Sequence, residues 1–439
     1  MDEILRLIIA QQQNRTESYP IVRRDLRIQP VHRKATVIIG IRRCGKSTWQ
    51  REKINQLLAQ GVPKEAICWI DFSDDRLFFL RSEDANPAVI ADIYYAMYPE
   101  AHKRTTYFFF DEIPYVNHWA QFVNRLQTTE RCEVYLTGSS AKLLSKEIAT
   151  ELGGSAFPWE LFPFSFREFL RATGKPEKAT DITSRDEIIH AFDTYVLMGG
   201  MPERLALPDD AMAVRYFQNL VEDVMTRDVL LRYDVPHPVA LQRLVQMLMG
   251  SMSCPMTVNK LKQRLAGERY SLSPLVITEY LGMLGDCYMV FLVPIRSANM
   301  AVRSVNPKKV YVGDHALAAA FAQSVSPNQG LALENMVFLA LRRQSEDIFY
   351  YRTAKGEEID FAVGPDTRIR LLQVCWNLGT EGKTRDREIA ALWHGMEELG
   401  VTESWIITSG ESEEITEAGT GRRIHIVPAW RWLLEASQN

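Results

Sequence analysis

The sequence predicts an α/β protein whose N-terminal part is an αβα sandwich built on a parallel sheet. Two stretches carry that prediction. In the first, the β-branched run Lys34 to Ile39 reads as a strand, Gly40 to Lys46 as a glycine-bounded loop, and Ser47 to Leu58 keeps helical spacing. In the second, four aromatics in a row, Tyr107 to Phe110, end abruptly in Asp111 and Glu112. Such an apolar run fits a strand buried on both faces, as parallel strands are. Ligands of open α/β sheets bind at the carboxyl ends of the strands, so acids placed there face a site.

Two further strands complete this layer. Ala66 to Asp75 ("AICWIDFSDD") reads as buried strand, and Glu133 to Thr137 as another, followed by Gly138-Ser139-Ser140. The loop "GIRRCGKS" satisfies GxxxxGK[ST], in the strand–loop–helix context that gives the motif its mechanism. Its glycines let backbone N–H groups turn inward toward phosphate oxygens, and the helix N-terminus adds partial positive charge. Gly40, Ile41, Arg42, Arg43, Cys44, Gly45, Lys46, Ser47 and Thr48 are the expected ATP-binding set. Lys46 is expected to reach the β- and γ-phosphates and Ser47 to ligate Mg²⁺. Asp111, 65 residues beyond Lys46, is the expected second Mg²⁺ residue. Glu112 is expected to orient and polarise the attacking water. A hydroxyl after the Glu133–Thr137 strand could sense the γ-phosphate, with Ser139 or Ser140 in that role; capping of the helix that begins at Ala141 explains Ser140 equally well.

Composition sets the bounds. The chain has 439 residues, 46% hydrophobic and 24% charged. That is enough for sizeable cores and, as a soft prior, about three domains. A net charge of −4 argues against a wholly basic nucleic-acid coat but allows a local basic patch. The six cysteines form no CxxC pair, which fits reduced thiols in a cytoplasmic protein better than a disulfide framework or a zinc ribbon. The opening "MDEILRLIIAQQQ" reads as an amphipathic helix, not a signal peptide. No apolar run approaches the length that spans a membrane.

Downstream, 186–235 has helical spacing interrupted by Gly199-Gly200 and Pro202, and Asp234 to Pro238 marks a boundary. From Val239 three helices and a strand, "YMVFLVPIRS", resemble a winged helix. Arg243, Lys260, Lys262, Arg264, Arg269, Lys308 and Lys309 make this segment basic, which suits contact with a phosphate backbone. Packing with solvated lysines accounts for the same pattern. The third helix, Pro274 to Gly285, carries no Lys or Arg, so sequence-specific base readout is not expected. The last part is α/β: a helix with Glu334 near its start, a hairpin around Lys355-Gly356 whose second strand carries Asp360, then "RIRLLQVCW". Glu334 and Asp360 match the acids of a PD-(D/E)xK nuclease constellation. Gln373 and Cys375 stand where a carboxylate and a lysine are required, and neither can supply that chemistry. The expectation is a nuclease-like fold without nuclease chemistry.

With these stretches together, the chain resembles the prokaryotic AAA-type ATPases that carry a C-terminal domain of unknown function. "IVRRDL" (Ile21 to Leu26), "LFPFSFREFL", "YVLMGGMPE", "DVMTRDVLLRYDV" and "HIVPAWRWLL" also match. The resemblance implies a P-loop ATPase domain over 1–172, a helical lid over 173–236, a winged-helix segment over 237–325 and a degenerate nuclease-like domain over 326–439. It implies ATP and Mg²⁺ as cofactors, and the expected activity is ATP hydrolysis. Members often carry an arginine after the glycine of the stretch that reads "ELGGSAF" here, where Gly153-Gly154 stands instead. Arg227 and Arg232 could substitute as trans-acting arginines, or could pair with neighbouring aspartates on their own helix. Three uses of the ATPase are expected to compete: a DNA remodeller, acting without sequence preference and as a homo-oligomer; a nucleotide switch on a protein partner; and an ATP-gated nuclease.

Overall fold

The computed structural model describes residues 2–13, 21–138, 152–321 and 328–436. The chain divides into two compact units, Met1–Leu161 and Phe162–Asn439.

Unit 1 is built on five parallel strands: β1 (Ala35–Ile39), β2 (Ile67–Asp71), β3 (Thr106–Asp111), β4 (Cys132–Thr137) and β5 (Ala156–Glu160), in the order β2-β3-β4-β1-β5. Every residue of β1 is buried, as a central parallel strand requires. The aromatic run explains itself here. Phe108, Phe109 and Phe110 are all 0% exposed, so β3 is apolar on both faces. Phe109 stacks on Tyr135 of the neighbouring strand at 4.6 Å, and Phe110 packs against Phe122 at 5.6 Å. Burying each such ring contributes about 1.5–3 kcal/mol. Helix α1 (Asp2–Gln13) buries Leu5, Ile8 and Ile9, and its Gln13 amide donates to the Ile67 carbonyl at 3.1 Å. Helices α2 (Lys46–Ala59), α3 (Ala88–Met97) and α4 (Trp119–Thr129) link the strands as crossovers. Gln50 of α2 is fully buried and donates to the carbonyls of Phe110 and Tyr135, at 3.3 and 3.4 Å, which ties the helix to β3 and β4.

Unit 2 opens with helices α5 (Phe166–Ala172), α6 (Ile182–Met198) and α7 (Asp210–Asp223), and α7 runs into a π-helical turn over Val224–Leu230. Between α6 and α7 the glycine pair has a packing reason: a Cβ on Gly200 would lie 2.3 Å from the Phe164 carbonyl oxygen. Three helices follow, α8 (Pro238–Met249), α9 (Val258–Gly267) and α10 (Pro274–Asp286). With them come short antiparallel strands β6 (Pro255–Met256), β7 (Val290–Val293) and β8 (Lys308–Val312), ordered β6-β8-β7. After α11 (Met300–Val305) and α12 (His315–Ala319) comes the almost wholly buried α13 (Gln329–Arg342). Its Asn335 amide pairs with both backbone groups of Val312, at 2.8 and 3.1 Å.

The remaining strands are β9 (Ile348–Arg352), β10 (Glu358–Val363), β11 (Arg370–Val374), β12 (Glu403–Thr408), β13 (Glu413–Thr416) and β14 (Arg423–Pro428). They form a mixed six-stranded sheet ordered β13-β14-β12-β11-β10-β9. Helix α14 (Lys383–Leu399) packs on it through Ala391, Leu392 and Met396, and α15 (Ala429–Ala436) follows. Strand β13 had no signal in the sequence, because "EEIT" is largely exposed and keeps no apolar alternation.

Candidate functional site

The loop after β1 is bent by residues of positive φ: Gly40 at 152°, Arg43 at 65° and Gly45 at 101°. A Cβ on Gly40 would lie 2.0 Å from the Leu161 carbonyl oxygen, so only glycine fits there. Gly45 precedes α2, whose first N–H groups receive no side-chain cap from it and remain donors at a positive helix end. Lys46 is 7% exposed, and its Nζ donates to the carbonyls of Gly40 and Ile41 at 2.9 and 3.1 Å. The Cys44 thiol is buried and donates to the Leu161 carbonyl at 3.2 Å.

The carboxyl end of β3 lies beside this loop. Asp111 is 4% exposed and accepts a hydrogen bond from the Thr137 hydroxyl, with the Ser47 hydroxyl beside it. Burial, with the charges of Glu112 and Asp71, pushes its carboxyl up to about 6; the two hydroxyls pull the other way. Glu112 adopts a left-handed backbone conformation, φ 53° and ψ 39°, which non-glycine residues reach only when their surroundings hold them there. Its N–H donates to the Thr137 hydroxyl at 3.3 Å. Thr137 therefore gives its one proton to Asp111 and accepts from Glu112, binding both acids to the end of β4. Thr137, the last strand residue before Gly138, carries no motif signal of its own in the sequence. Ser139 and Ser140, the hydroxyls expected in this role, lie outside the described residues.

The donor set suits a hard divalent cation. A serine hydroxyl and a carboxylate close to each other are oxygen ligands of the kind Mg²⁺ takes. Gly153 and Gly154 carry no arginine between them; the Gly154 carbonyl accepts from Lys34 Nζ at 2.8 Å. Arg232 is bound to the buried Asp228 at 3.2 Å, and Arg227 is 60% exposed and lies 4.0 Å from Asp223.

In unit 2 the basic residues separate. Lys260, Lys262, Arg264 and Arg269 are exposed on α9 and just after it. Arg243 is engaged by Glu268, with Nη2 2.6 Å from Oε1. Lys308 is half-buried, but Lys309 is 2% exposed and cannot meet a phosphate backbone. Its place in the basic patch is thereby corrected. Strand alternation turns Lys309 inward, where its Nζ lies 2.7 Å from Asp360 Oδ1, 3.0 Å from Glu334 Oε1 and 3.1 Å from Glu358 Oε1. Burial disfavours the ammonium, yet Asp360, Glu334 and Glu358 together hold its pKa well above the ordinary lysine value. The Tyr311 hydroxyl donates to the same Glu334 oxygen at 2.7 Å. Burial and the Asp360 charge raise Glu334 to about 7.

Glu334 and Asp360, paired from sequence, do converge, and a lysine joins them from an unexpected strand. Gln373 lies beside them: its Oε1 accepts from the Asp360 N–H at 3.1 Å, and its Nε2 donates to Glu388 at 2.6 Å. Cys375 is turned to the Asn377 carbonyl, and burial raises its thiol to about 11.

Comparison with known proteins agrees with the N-terminal geometry. The family model of an AAA domain matches residues 32–170, and that of a domain of unknown function (DUF8612) matches 189–328. An uncharacterized protein of Methanocaldococcus jannaschii is 30% identical over 423 residues, covering 94% of this chain and 91% of its own. The chain belongs to the family of that archaeal protein. Its N-terminal unit is a P-loop AAA-type domain. An uncharacterized protein of Haemophilus influenzae is 25% identical over 344 residues, 78% of this chain and 82% of its own. Among solved structures, a Walker-type ATPase of Pyrococcus abyssi aligns with a TM-score of 0.43 at 16% identity, over 65% of this chain and 90% of its own. No helix among the described residues is long and apolar enough to cross a membrane.

Proposed function

We propose that the protein is a Mg²⁺-dependent ATPase that couples its nucleotide state to the binding or remodelling of DNA by its C-terminal elements. The observation that carries the ATPase reading is the tie of Asp111 and Glu112 through Thr137 at one end of the sheet, with Ser47 close to Asp111, beside a loop that ends in Lys46. Lys46, with the N–H groups of 40–48, binds the phosphates. Ser47 and Asp111 hold Mg²⁺, which when bound offsets negative charge on the β- and γ-phosphate oxygens. Glu112 positions and deprotonates the attacking water, and Thr137 ties the Asp111 carboxylate to the Glu112 backbone. A trans-acting arginine is not supplied by Gly153-Gly154, so turnover is slow unless a homo-oligomer brings one from elsewhere.

The exposed cations Lys260, Lys262, Arg264 and Arg269 support DNA as the partner, contacted through its backbone. A second reading, a nucleotide switch acting on a protein, is favoured by one observation: α10, the would-be recognition helix, bears no Lys or Arg. The ATP-gated nuclease ranks third, because the acids of unit 2 already surround an internal lysine. ATP turnover measured without DNA and with single-stranded, duplex and branched DNA tests the proposal. Stimulation by DNA, abolished in Lys46→Ala, is expected. Turnover indifferent to every DNA form moves the switch to first place, and wild-type turnover in Lys46→Ala ends the ATPase assignment.

A further inference from the structure

The stretch Ile21 to Leu26 forms no regular secondary structure, yet its Arg24 is only 9% exposed. Two contacts of Arg24 reach the phosphate loop and its helix. The backbone N–H donates to Glu52 Oε2 on α2 at 3.0 Å. The guanidinium Nη1 donates to the Cys44 carbonyl at 2.8 Å. Glu52, itself 9% exposed, is held in turn by Gln56 at 2.9 Å, one helical turn on.

The second contact acts on the loop by simple peptide geometry. No peptide bond among the described residues is cis, so the Cys44 carbonyl and the Gly45 N–H point in opposite directions from one rigid plane. A donor that fixes the carbonyl outward fixes the N–H inward, toward the ring of amides that a phosphate loop offers. A guanidinium is suited to this. It is always charged, and a hydrogen bond from a charged donor is stronger than a neutral one. Gly45, at φ 101°, is conformationally permissive, so its peptide needs an external hold. A Cβ there would also lie 3.2 Å from Arg24 Nη1, which leaves little room for any other residue between the arginine and the loop.

We propose that Arg24 is a positioning residue of the nucleotide site: it pins the Cys44–Gly45 peptide so that the Gly45 N–H is presented to the nucleotide's phosphates. This rests on the ATP-binding reading of the loop. The amides of such a loop serve the α- and β-phosphates, so ATP and ADP depend on Arg24 alike.

The experiment measures ATP and ADP affinity by calorimetry, and KM and kcat for hydrolysis, in wild type, Lys46→Ala, Arg24→Met and Arg24→Lys. Arg24→Met keeps most of the buried stem and removes the donors. Loss of one charge-assisted hydrogen bond corresponds to about 10- to 100-fold. Arg24→Met is expected to weaken both nucleotides by that factor and to raise KM far more than it lowers kcat. Arg24→Lys, which retains a charged donor, is expected to fall between it and wild type. A merely structural role would reduce the active fraction, lowering kcat at unchanged KM, and that result overturns the proposal. So does wild-type affinity in Arg24→Met, or loss of ATP affinity with ADP unaffected. If Arg24→Met does not fold, Arg24→Lys decides alone, by KM raised against KM unchanged. Wild-type ATP affinity in Lys46→Ala would instead mark failure of the underlying site assignment.

Discussion

Lys309 Nζ lies 2.7 Å from Asp360 Oδ1, joining strands 51 residues apart in sequence inside unit 2. Both side chains are nearly inaccessible, at 2% and 10% exposure, and Glu334 and Glu358 complete the ring of acceptors. Removing one partner of a buried ion pair leaves charge uncompensated in a poorly solvated place, which costs about 3–5 kcal/mol. Lys309→Met is expected to lower the unfolding free energy of unit 2 by that amount, read as a shift of the urea midpoint at unchanged slope. A surface lysine of the kind first expected would cost almost nothing on the same substitution.

Thr137→Val removes the hydroxyl that serves Asp111 and Glu112 while keeping side-chain volume. The left-handed Glu112 backbone then loses the acceptor for its N–H, and Asp111 loses a donor. A buried group left unpaired costs about 1–3 kcal/mol, so kcat is expected to fall roughly 10- to 100-fold while ATP still binds. Glu112→Gln should lose about 10²–10⁴-fold in kcat, again with nucleotide binding retained. Steady-state rates alongside calorimetric affinities check both. Equal loss of affinity in either variant would move these residues from the hydrolytic step to binding.

The sheet, the loop and the acid pair were legible because each is a contiguous stretch whose pattern follows from local geometry. Thr137 and Lys309 were not, because their partners are distant in sequence and no periodicity announces them. Lys309 is hidden for a further reason: Lys308 and Lys309 look alike as a basic pair, yet adjacent strand residues face opposite ways. The hint lay two residues on. Tyr311 shares the face of Lys309, and both reach Glu334, so the tyrosine in register with the lysine marks the face of β8 that meets Glu334.

Asp111 gives a pH dependence of unusual sign. Its folded-state pKa, about 6, lies above the ordinary aspartate value of 3.8, mainly through burial. The native state therefore holds the proton more tightly than the unfolded chain. The stabilisation this brings is fully present below pH 3.8 and is lost as pH rises through about 6. Mg²⁺ favours the ionised form, so metal-dependent nucleotide affinity is expected to change the other way, rising roughly fourfold between about pH 5.5 and about pH 7.5 as the group ionises. Calorimetry at the two pH values checks it. Asp111→Asn should retain only the titration of the nucleotide itself, and an identical rise in that variant would place the effect elsewhere.

Any DNA affinity should depend on salt more than on sequence. Lys260, Lys262 and Arg269 are exposed, whereas the helix that would enter a groove is uncharged to acidic. Each phosphate contact contributes about 0.9 to the slope of log affinity against log salt on duplex DNA. Substituting these three by Gln is expected to flatten the slope by about 0.9 for each contact that exists. Fluorescence anisotropy across a salt series, with two unrelated duplexes, reads this directly. A slope unmoved by the triple variant, or strong preference for one duplex, would sink the backbone reading.

Unit 2 is expected not to cut DNA, and the reason lies in how its charges are spent. Three carboxylates converge on the Lys309 ammonium, so the cation of the cluster is internal. A divalent ion entering there would have to share a buried site with that ammonium, and like charges in a poorly solvated place repel strongly. Gln373 cannot offer a carboxylate, and its amide is already committed to the Asp360 N–H and to Glu388. Cys375 faces the Asn377 carbonyl, and its thiol, raised to about 11, is protonated near neutral pH. Lys355, a nearby lysine in sequence, lies 2.7 Å from His394 Nε2. Incubation of linear, circular and branched DNA with Mg²⁺ or Mn²⁺, with and without ATP, should leave every form intact. Cleavage that disappears in Asp360→Ala would show that Lys309 yields its place to a metal, and would turn the ion cluster from a structural tie into a catalytic centre.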